Sequence, residues 1–446
     1  MSVYFNSANN LSGNITDCLY SDNTGIKHSI SSIWGTKDNN VVKLWGKDEE
    51  KIDDLYAVGS SNELLHWYYE LDDINNVIIL KQYKKHSLDI CVYSSYELNG
   101  KIYHTKLLNT GEDNSSGLFY NTSVKTVVFG NNIDTSNLTN ISSMFYNCRD
   151  LTSVDFGNNF NTTKVTDMSN MFSYCNKLMN INWGNGFNTA NVTNMSNMFR
   201  GCTVLEELDL RNFNTSNVTN MYEIFYGCNN LTHVDFGDNF STDNVTTMNR
   251  MFSSCKKLKR LNLNTFDTSN VTDMSNMFSS CEELEELDLS SFDTRMAENL
   301  QSMFYRCLKL TLINFKQDFA INAINMNQMF SNCISLQSID LSNFNMHKVD
   351  DMGYMFYSCS SLSTINFGNN FDTSSATKMH DMFSLCTSLT TLNLSMLNTS
   401  NVTNMCRIFK GCSNLKTIYV DQNLWEMPSN ATETFTNCGT SSVTYI

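Results

Sequence analysis

A Met-Phe dipeptide, or a close variant of it, returns along most of this 446-residue chain at steps of 26 or 27 residues. We name its aromatic residue the ladder phenylalanine. It stands at Phe145, Phe172, Phe199, Phe225, Phe252, Phe278, Phe304, Phe330, Phe356, Phe383, Phe409 and Phe435. A fixed period of this length is typical of a solenoid, in which each repeat packs only against its neighbours. The sequence therefore predicts a stacked array.

One repeat, residues 191–210, shows the elements that we expect in each unit. The apolar positions of 192–202 are spaced by three, three, one and three residues, which fits one face of a short helix. Thr193 or Asn194 is placed to cap that helix. Residues 205–210 follow the pattern Leu-x-x-Leu-x-Leu, whose last part alternates as a strand does. We therefore predict an α/β leucine-rich-repeat solenoid, with one short helix and one short parallel strand per repeat.

Glycine follows the strand only in some repeats. Where the strand ends in Phe156, Trp183, Phe236 or Phe367, glycine comes next and the connection is one residue longer than after a terminal leucine. Glycine adopts backbone conformations that other residues avoid. We expect these glycines to turn the chain around the bulkier ring.

Residues 1–110 lack the repeat and are predicted to form a small, mainly β domain that also covers the end of the array. Ser32–Gly35 and Lys43–Gly46 fit short hairpins, and residues 77–82 and 89–95 fit strands. Asn99-Gly100 fits a two-residue hairpin turn. Residues 61–71 fit a helix with Ser61 as its cap. The polar stretch 110–117 marks the predicted boundary to a solenoid domain at 111–446, with about twelve repeats and a degenerate first repeat at Leu118-Phe119.

The composition excludes several function classes. Thirty basic and 45 acidic residues give a formal net charge of −15, which argues against nucleic-acid binding and against anionic membrane surfaces. No apolar run is long enough to span a membrane, and residues 1–10 do not resemble a secretory signal. There is no nucleotide-binding, hydrolase or metal-binding motif, so we predict a non-enzymatic protein with no catalytic residue, metal or cofactor.

Twelve of the 15 cysteines lie three residues after a ladder phenylalanine. In a long array with one cysteine per repeat, neighbouring side chains point in parallel rather than towards each other, which does not suit disulfide geometry. We therefore predict that these thiols are buried as small apolar groups.

Two sets of polar residues suggest a role. The residues that flank the central apolar position of each strand should point out of the sheet, and we predict a ligand surface there. Its candidate residues are Glu207, Asp209, His233, Asp235, Arg260, Glu286, Asp288 and Asp340. The alternative is a solvated row whose side chains bond along the stack.

Separately, the Lys/Arg run at 256–260 precedes by one repeat the Glu run at 282–286, which predicts a row of inter-repeat ion pairs.

The full repeat reads Phe-[Asn/Asp]-Thr-Ser-Asn-Val-Thr-[Asn/Asp]-Met-Ser-x-Met-Phe-x-x-Cys-x-x-Leu-x-x-Leu-[Asp/Asn]-Leu. It resembles the BspA-like leucine-rich repeats of mycoplasma-type surface proteins. That resemblance implies a protein at the cell surface or outside the cell that adheres to a protein or glycan on a host or neighbouring cell. The Trp-Gly segments near residues 34 and 45 loosely resemble repeats of prophage structural proteins. The alternative is therefore a tail-associated virion protein for receptor binding, with residues 1–110 attached to a larger particle.

Overall fold

The computed structural model describes residues 20–21, 27–28, 32–37, 40–46, 58–59, 61–84, 89–107, 117–368 and 371–446. The chain divides into two compact units, Met1–Val192 and Thr193–Ile446. Most of the predicted boundary loop, residues 110–116, lies outside the described residues.

The first unit contains one short helix, α1 (Ser61–Leu64), among its described residues. Its strands are β1 (Tyr20–Ser21), β2 (Lys27–His28), β3 (Ser32–Lys37), β4 (Asn40–Gly46), β5 (Val58–Gly59), β6 (Trp67–Asp72), β7 (Val77–Tyr83), β8 (Asp89–Val92), β9 (Ser95–Leu98), β10 (Lys101–Leu107), β11 (Thr126–Phe129), β12 (Ser153–Asp155) and β13 (Asn180–Asn182). They form the pairs β1–β2 and β3–β4, a five-stranded sheet β5-β9-β10-β7-β6 and a four-stranded sheet β13-β12-β11-β8.

Most of the predicted β elements before residue 110 are confirmed. β3 and β4 pair antiparallel, as do β9 and β10 around Asn99 and Gly100, whose φ angles of 54° and 76° suit a two-residue hairpin turn. The predicted helix 61–71 is wrong beyond Leu64. Its second half is β6, because the run Trp67-Tyr68-Tyr69 has high β propensity and pairs antiparallel with β7.

The N-terminal segment is joined to the first repeat. Strand β8 pairs in parallel with β11, the strand of the degenerate repeat, and Phe119 stacks on Phe145 with ring centroids 5.2 Å apart. On its other side Phe119 contacts the rings of Trp67 and Tyr83 at 5.5 and 5.7 Å. The aromatic contacts of the first repeat thus continue into the N-terminal segment.

The second unit consists of repeats only. Its strands are β14 (Glu207–Asp209), β15 (His233–Asp235), β16 (Glu286–Leu289), β17 (Leu312–Phe315), β18 (Ser338–Asp340), β19 (Thr364–Asn366), β20 (Thr391–Asn393), β21 (Thr417–Val420) and β22 (Thr444–Tyr445). They pair in parallel as β14-β15, β16-β17, β18-β19 and β20-β21-β22. The parallel pairing is as predicted, but the strands form short groups rather than one wide sheet, and residues 260–263 form no strand.

The predicted short helix in each repeat is wrong, because the described part of the second unit contains no helix. Residues 195–202 form consecutive turns, in which Met198 N–H donates to Met195 O and Cys202 N–H to Phe199 O, three residues back. Asn197 and Gly201 have φ angles of 57° and 72°, a left-handed conformation that no α-helix contains. Asparagine and glycine tolerate this conformation better than most residues.

The turns let the backbone bond between repeats, which a helix does not allow. Asn197 N–H donates to Tyr222 O at 2.8 Å and Phe199 N–H to Ile224 O at 2.9 Å, so alternate N–H groups reach the next repeat. Asn194, predicted as a helix cap, instead begins an unbroken series of parallel bridges, one per repeat, that ends at Asn404. We name the side of the repeats formed by these turns the turn side and the side formed by the strands the strand side. Backbone pairing between repeats is therefore more continuous on the turn side than on the strand side.

The ladder phenylalanines and cysteines form the core of the turn side. Phe278 is fully buried and stacks between Phe252 and Phe304, each 5.8 Å away. Burial of the ladder thiols is confirmed from Cys148 to Cys412, none of which is in a disulfide, whereas Cys438 is half-buried. From Cys228 to Cys412 each ladder thiol also donates to the carbonyl of the ladder phenylalanine in the preceding repeat, as Cys281 Sγ does to Phe252 O at 3.2 Å. That hydrogen bond was not predicted.

The glycines after aromatic strand ends behave as expected. Gly157, Gly184, Gly237 and Gly368 have φ angles between 63° and 66°. A Cβ atom on Gly237 would lie 2.6 Å from the Arg211 Cα. The wider turn thus depends on a residue without a side chain.

Candidate functional site

The outward surface of the strands, here the strand face, is made of the two residues that flank the buried central residue of each strand. In β14 Leu208 is 5% exposed, whereas Glu207 and Asp209 are exposed on either side of it. The alternation follows from the period of two in a strand. It leaves the polar flanking residues to solvent in repeat after repeat.

Four of the eight candidate residues lie together on β14 and β15. The register pairs Glu207 with His233 and Asp209 with Asp235 across the two strands. Glu207, Asp209 and His233 are exposed, and Asp235 is half-buried. Three carboxylates and one imidazole therefore share one patch.

Arg211, which the sequence reasoning missed, joins two of these carboxylates. Its Nη2 lies 2.7 Å from Asp209 Oδ2 and its Nε lies 3.4 Å from Asp235 Oδ2. The hydrogen bond from Arg211 holds the pKa of Asp209 below its usual range. The position of Arg211, two residues after Asp209, was the available signal, since a side chain just past a strand end can fold back over it.

The other four candidate residues lie in later repeats, outside the patch on β14 and β15. Glu286 and Asp288 lie on β16, next to Leu312 and Asn314 of β17. Arg260 was predicted on a strand but lies in residues 260–263, which form none. Its Nη2 approaches Glu286 Oε2 at 3.6 Å. Asp340 lies on β18 and accepts a hydrogen bond from Asn366 Nδ2 at 3.0 Å. Leu312, half exposed, interrupts the polar row.

The aspartates of the strand face also end their strands. Asp209, Asp288 and Asp340 each accept the backbone N–H of the residue two positions further on, at 2.9–3.0 Å. The bonds from Ser342 are the main reason that the pKa of Asp340 lies below its usual range. This local bonding explains why Asp or Asn recurs at this position, and it gives the row a structural role whether or not a ligand binds.

The predicted ion pairs between 256–260 and 282–286 form in part. Lys256 Nζ lies 3.2 Å from Glu282 Oε1, in addition to the pair of Arg260 and Glu286. Glu283 instead pairs with Lys309, one repeat further along. Its hydrogen bond from Lys309 lowers the pKa of Glu283.

A second polar surface lies on the turn side. We name it the turn face and define it by the residues three and two positions before, and one and two positions after, each ladder phenylalanine of 193–446. Serine, asparagine and tyrosine make up about half of its side chains, and nearly all of these are buried or half-buried. Two carboxylates on it, those of Glu223 and Asp381, are 1% and 3% exposed. Both are paired with arginine, and the sequence reasoning singled out neither.

The described residues contain no cluster of three or more His, Cys, Asp or Glu side chains arranged to hold a metal ion. Within the same part of the chain, no helix is both long and apolar enough to cross a membrane.

Four segments of the chain, 113–234, 139–259, 232–338 and 324–444, match the family described as "Mycoplasma protein of unknown function, DUF285". Together they span most of the chain. The chain belongs to this family. No curated protein sequence matches it.

Solved structures similar to this DUF285 chain are leucine-rich-repeat proteins. A leucine-rich repeat protein from Bacteroides ovatus is 18% identical, with a TM-score of 0.50, over 85% of this chain and 98% of that one. A leucine rich cell surface protein from Faecalibacterium prausnitzii is 16% identical, with a TM-score of 0.43, over 85% of this chain and 93% of that one. The first likeness shows the solenoid fold of leucine-rich-repeat proteins.

Proposed function

We propose that this chain is a non-enzymatic adhesion protein at the cell surface or outside the cell, which binds a protein or glycan on a host or neighbouring cell. The observation that carries the proposal is the strand face, where polar side chains project in register from β14 and β15 while the apolar residues are used in the core. The surface-protein name of a structural neighbour points in the same direction.

The proposed binding residues are those predicted for the strand face: Glu207, Asp209, His233, Asp235, Arg260, Glu286, Asp288 and Asp340. The four on β14 and β15 form the proposed centre, because they lie within one strand pair. Arg211 joins this set through its contacts to two of the carboxylates. A patch with both acidic and basic groups suits a partner that offers donors and acceptors, such as a glycan or a polar protein surface.

Residues 1–110 are proposed to be a separate N-terminal domain that covers the first repeat of the 111–446 solenoid. The pairing of β8 with β11 and the contact of Trp67 with Phe119 support this role. No observation favours the virion alternative, which stays a prediction from the sequence.

The test is the saturable binding of the labelled, purified chain to cultured host cells. We expect the variant E207Q/D209N/D235N to bind at least about tenfold more weakly, a loss of about 1.4 kcal/mol or more. Asparagine keeps the oxygen that accepts the backbone N–H after the strand, so the fold should be retained. The matched control is T391A/N393S, which changes exposed residues on β20 of the same face.

Treating the cells with protease or with glycosidases distinguishes a protein partner from a glycan. Absence of saturable binding to any cell type would contradict the adhesion function. Equal binding by the parent chain and E207Q/D209N/D235N would contradict the strand face as its site.

A further inference from the structure

The turn face contains a buried carboxylate between two arginines. Glu223 is 1% exposed, and its two carboxylate oxygens meet Arg200 Nη1 at 2.5 Å and Arg250 Nη1 at 3.0 Å. The arginines belong to the preceding and following repeats. A buried carboxylate is costly unless it is paired, so the arrangement holds both guanidinium groups in fixed positions.

Glu223 is paired with two arginines, whereas one arginine is enough to pair a buried carboxylate at the equivalent position of another repeat. Asp381 occupies the equivalent position six repeats further on and is satisfied by Arg407 alone, which donates from Nε and Nη2 at 2.9–3.1 Å. The pair of Asp381 and Arg407 is neutral, whereas the Arg200–Glu223–Arg250 cluster carries one net positive charge. Arg250 also remains 45% exposed.

Two tyrosines border the cluster. The Arg200 guanidinium lies 5.1 Å from the centroid of the Tyr226 ring, and Tyr222 adjoins Glu223 in the chain. Both rings are half-buried. Arginine stacks on aromatic faces, and arginine and tyrosine are enriched among the residues that contribute most to binding.

We propose that the Arg200–Glu223–Arg250 cluster, with Tyr222 and Tyr226, is a binding site for the carboxylate of an acidic sugar residue. The guanidinium fork matches a carboxylate in shape and charge. Arg250 is 45% exposed and bonds Glu223 through Nη1, one of the three nitrogens that carry its five N–H donors. The net positive charge selects anionic over neutral sugars. The proposal names a second site and a ligand class, and it does not depend on the strand face.

The surroundings favour a sugar over a protein partner. Repeats are about 4.8 Å apart, so three repeats span a patch on the order of 10 Å. The neighbouring turn-face residues Asn197 and Asn249 are half-buried and polar, which suits sugar hydroxyl groups. A stable protein interface buries about 800 Å² on each partner around an apolar centre, and this part of the turn face has none.

The test is titration of the full chain with glucuronic acid and, in parallel, with glucose, followed by ligand-observed NMR or calorimetry. We expect glucuronic acid to bind and glucose not to bind. Arg250→Gln should weaken glucuronic acid binding at least about tenfold. Arg250→Lys keeps the charge but not the fork, so its affinity should lie between those of the parent chain and Arg250→Gln. The matched control is Arg306→Gln, which removes an exposed arginine from the same face.

Arg250→Gln leaves Glu223 paired with Arg200, and a thermal melt checks that the fold is kept. Unchanged affinity in Arg250→Gln, or no binding of glucuronic acid, would overturn the proposal. Binding of a glutamate-rich peptide that depends on Arg250, without binding of glucuronic acid, would overturn the sugar and identify a peptide. Glucuronic acid binding that persists in E207Q/D209N/D235N separates this site from the proposed strand-face function.

Discussion

The strand face and the turn face of residues 193–446 come from the same repeats but differ in charge and in how that charge is held. Between residues 207 and 419 the strand face has six carboxylates and neither arginine nor lysine, since Arg260 lies in residues 260–263, which form no strand. The carboxylates are those of Glu207, Asp209, Asp235, Glu286, Asp288 and Asp340. The turn face has five basic residues and three acidic ones. They are Arg200, Arg250, Arg306, Arg407, Lys410, Glu223, Asp381 and Glu433.

The difference lies in backbone geometry. On the strand face the acidic side chains project to solvent and bond mainly within their own repeat, as Asp209 does with Arg211. On the turn face the left-handed residue two positions before the ladder phenylalanine can be buried, and Glu223 there bonds to both neighbouring repeats. One repeat thus presents an exposed acidic surface on one side and buried ion pairs on the other.

The largest expected effect is alkaline unfolding through the thiols of the turn side. Burial raises the pKa of nine ladder thiols, to about 11 for Cys148 and about 12 for Cys281. Because each pKa is higher in the folded state than the ordinary thiol value of 9.0, this stabilisation is complete below about pH 8 and is lost as pH rises towards 12. At pH 10 the loss is about 1.4 kcal/mol per thiol. We expect the urea midpoint, measured with reductant, to fall steeply between pH 8 and pH 10.

A variant with alanine at Cys255, Cys281, Cys307 and Cys333 provides the comparison, because its tyrosines and lysines titrate as in the parent chain. Its midpoint should fall less over the same pH range, and an equal fall in both proteins would refute the role of the thiols.

The carboxylates of the strand face make stability depend on pH in the opposite direction, since the pKa of Asp209 and Asp340 is lowered. Their stabilisation is present above about pH 4 and lost in acid, and it is small because both are exposed.

The second prediction compares an apolar side chain on each side. Phe278→Ala should lower the free energy of unfolding by about 3–5 kcal/mol, because it leaves a cavity between Phe252 and Phe304. Leu312→Ala on the strand face should cost less than about 0.5 kcal/mol, since Leu312 is half exposed. Urea unfolding measures both. Similar costs for the two variants would mean that the core does not lie on the turn side.

The repeat, its buried residues and the parallel pairing of its strands could be predicted from the period and the alternation of apolar residues. The turns could not be predicted, because the spacing of Met195, Met198, Phe199 and Cys202 fits a helical face as well as consecutive turns. What decides between turns and a helix is the left-handed φ of Asn197 and Gly201. In other repeats serine or glutamate occupies the position of Asn197, so the residue type there does not indicate a left-handed conformation.

The positions of the candidate residues on the strand face followed from strand geometry alone. The role of Arg211 and the Arg200–Glu223–Arg250 cluster did not, because each depends on which side chains of different repeats meet. In the sequence Arg200 and Arg250 lie 23 and 27 residues from Glu223, so no local pattern links the three residues. Only the turn geometry brings them together around a buried carboxylate.

The smallest predicted effect tests the comparison of the two faces directly by removing one carboxylate from each. Glu223→Ala should lower the free energy of unfolding by about 1–3 kcal/mol, because it leaves two partly buried guanidinium groups without their counterion. Asp209→Ala should cost at most about 1 kcal/mol, since the pair with Arg211 is exposed. High salt should reduce the cost of Asp209→Ala more than that of Glu223→Ala, because salt screens exposed pairs more than buried ones. Equal costs with equal salt dependence would show that the two faces hold their charges in the same way.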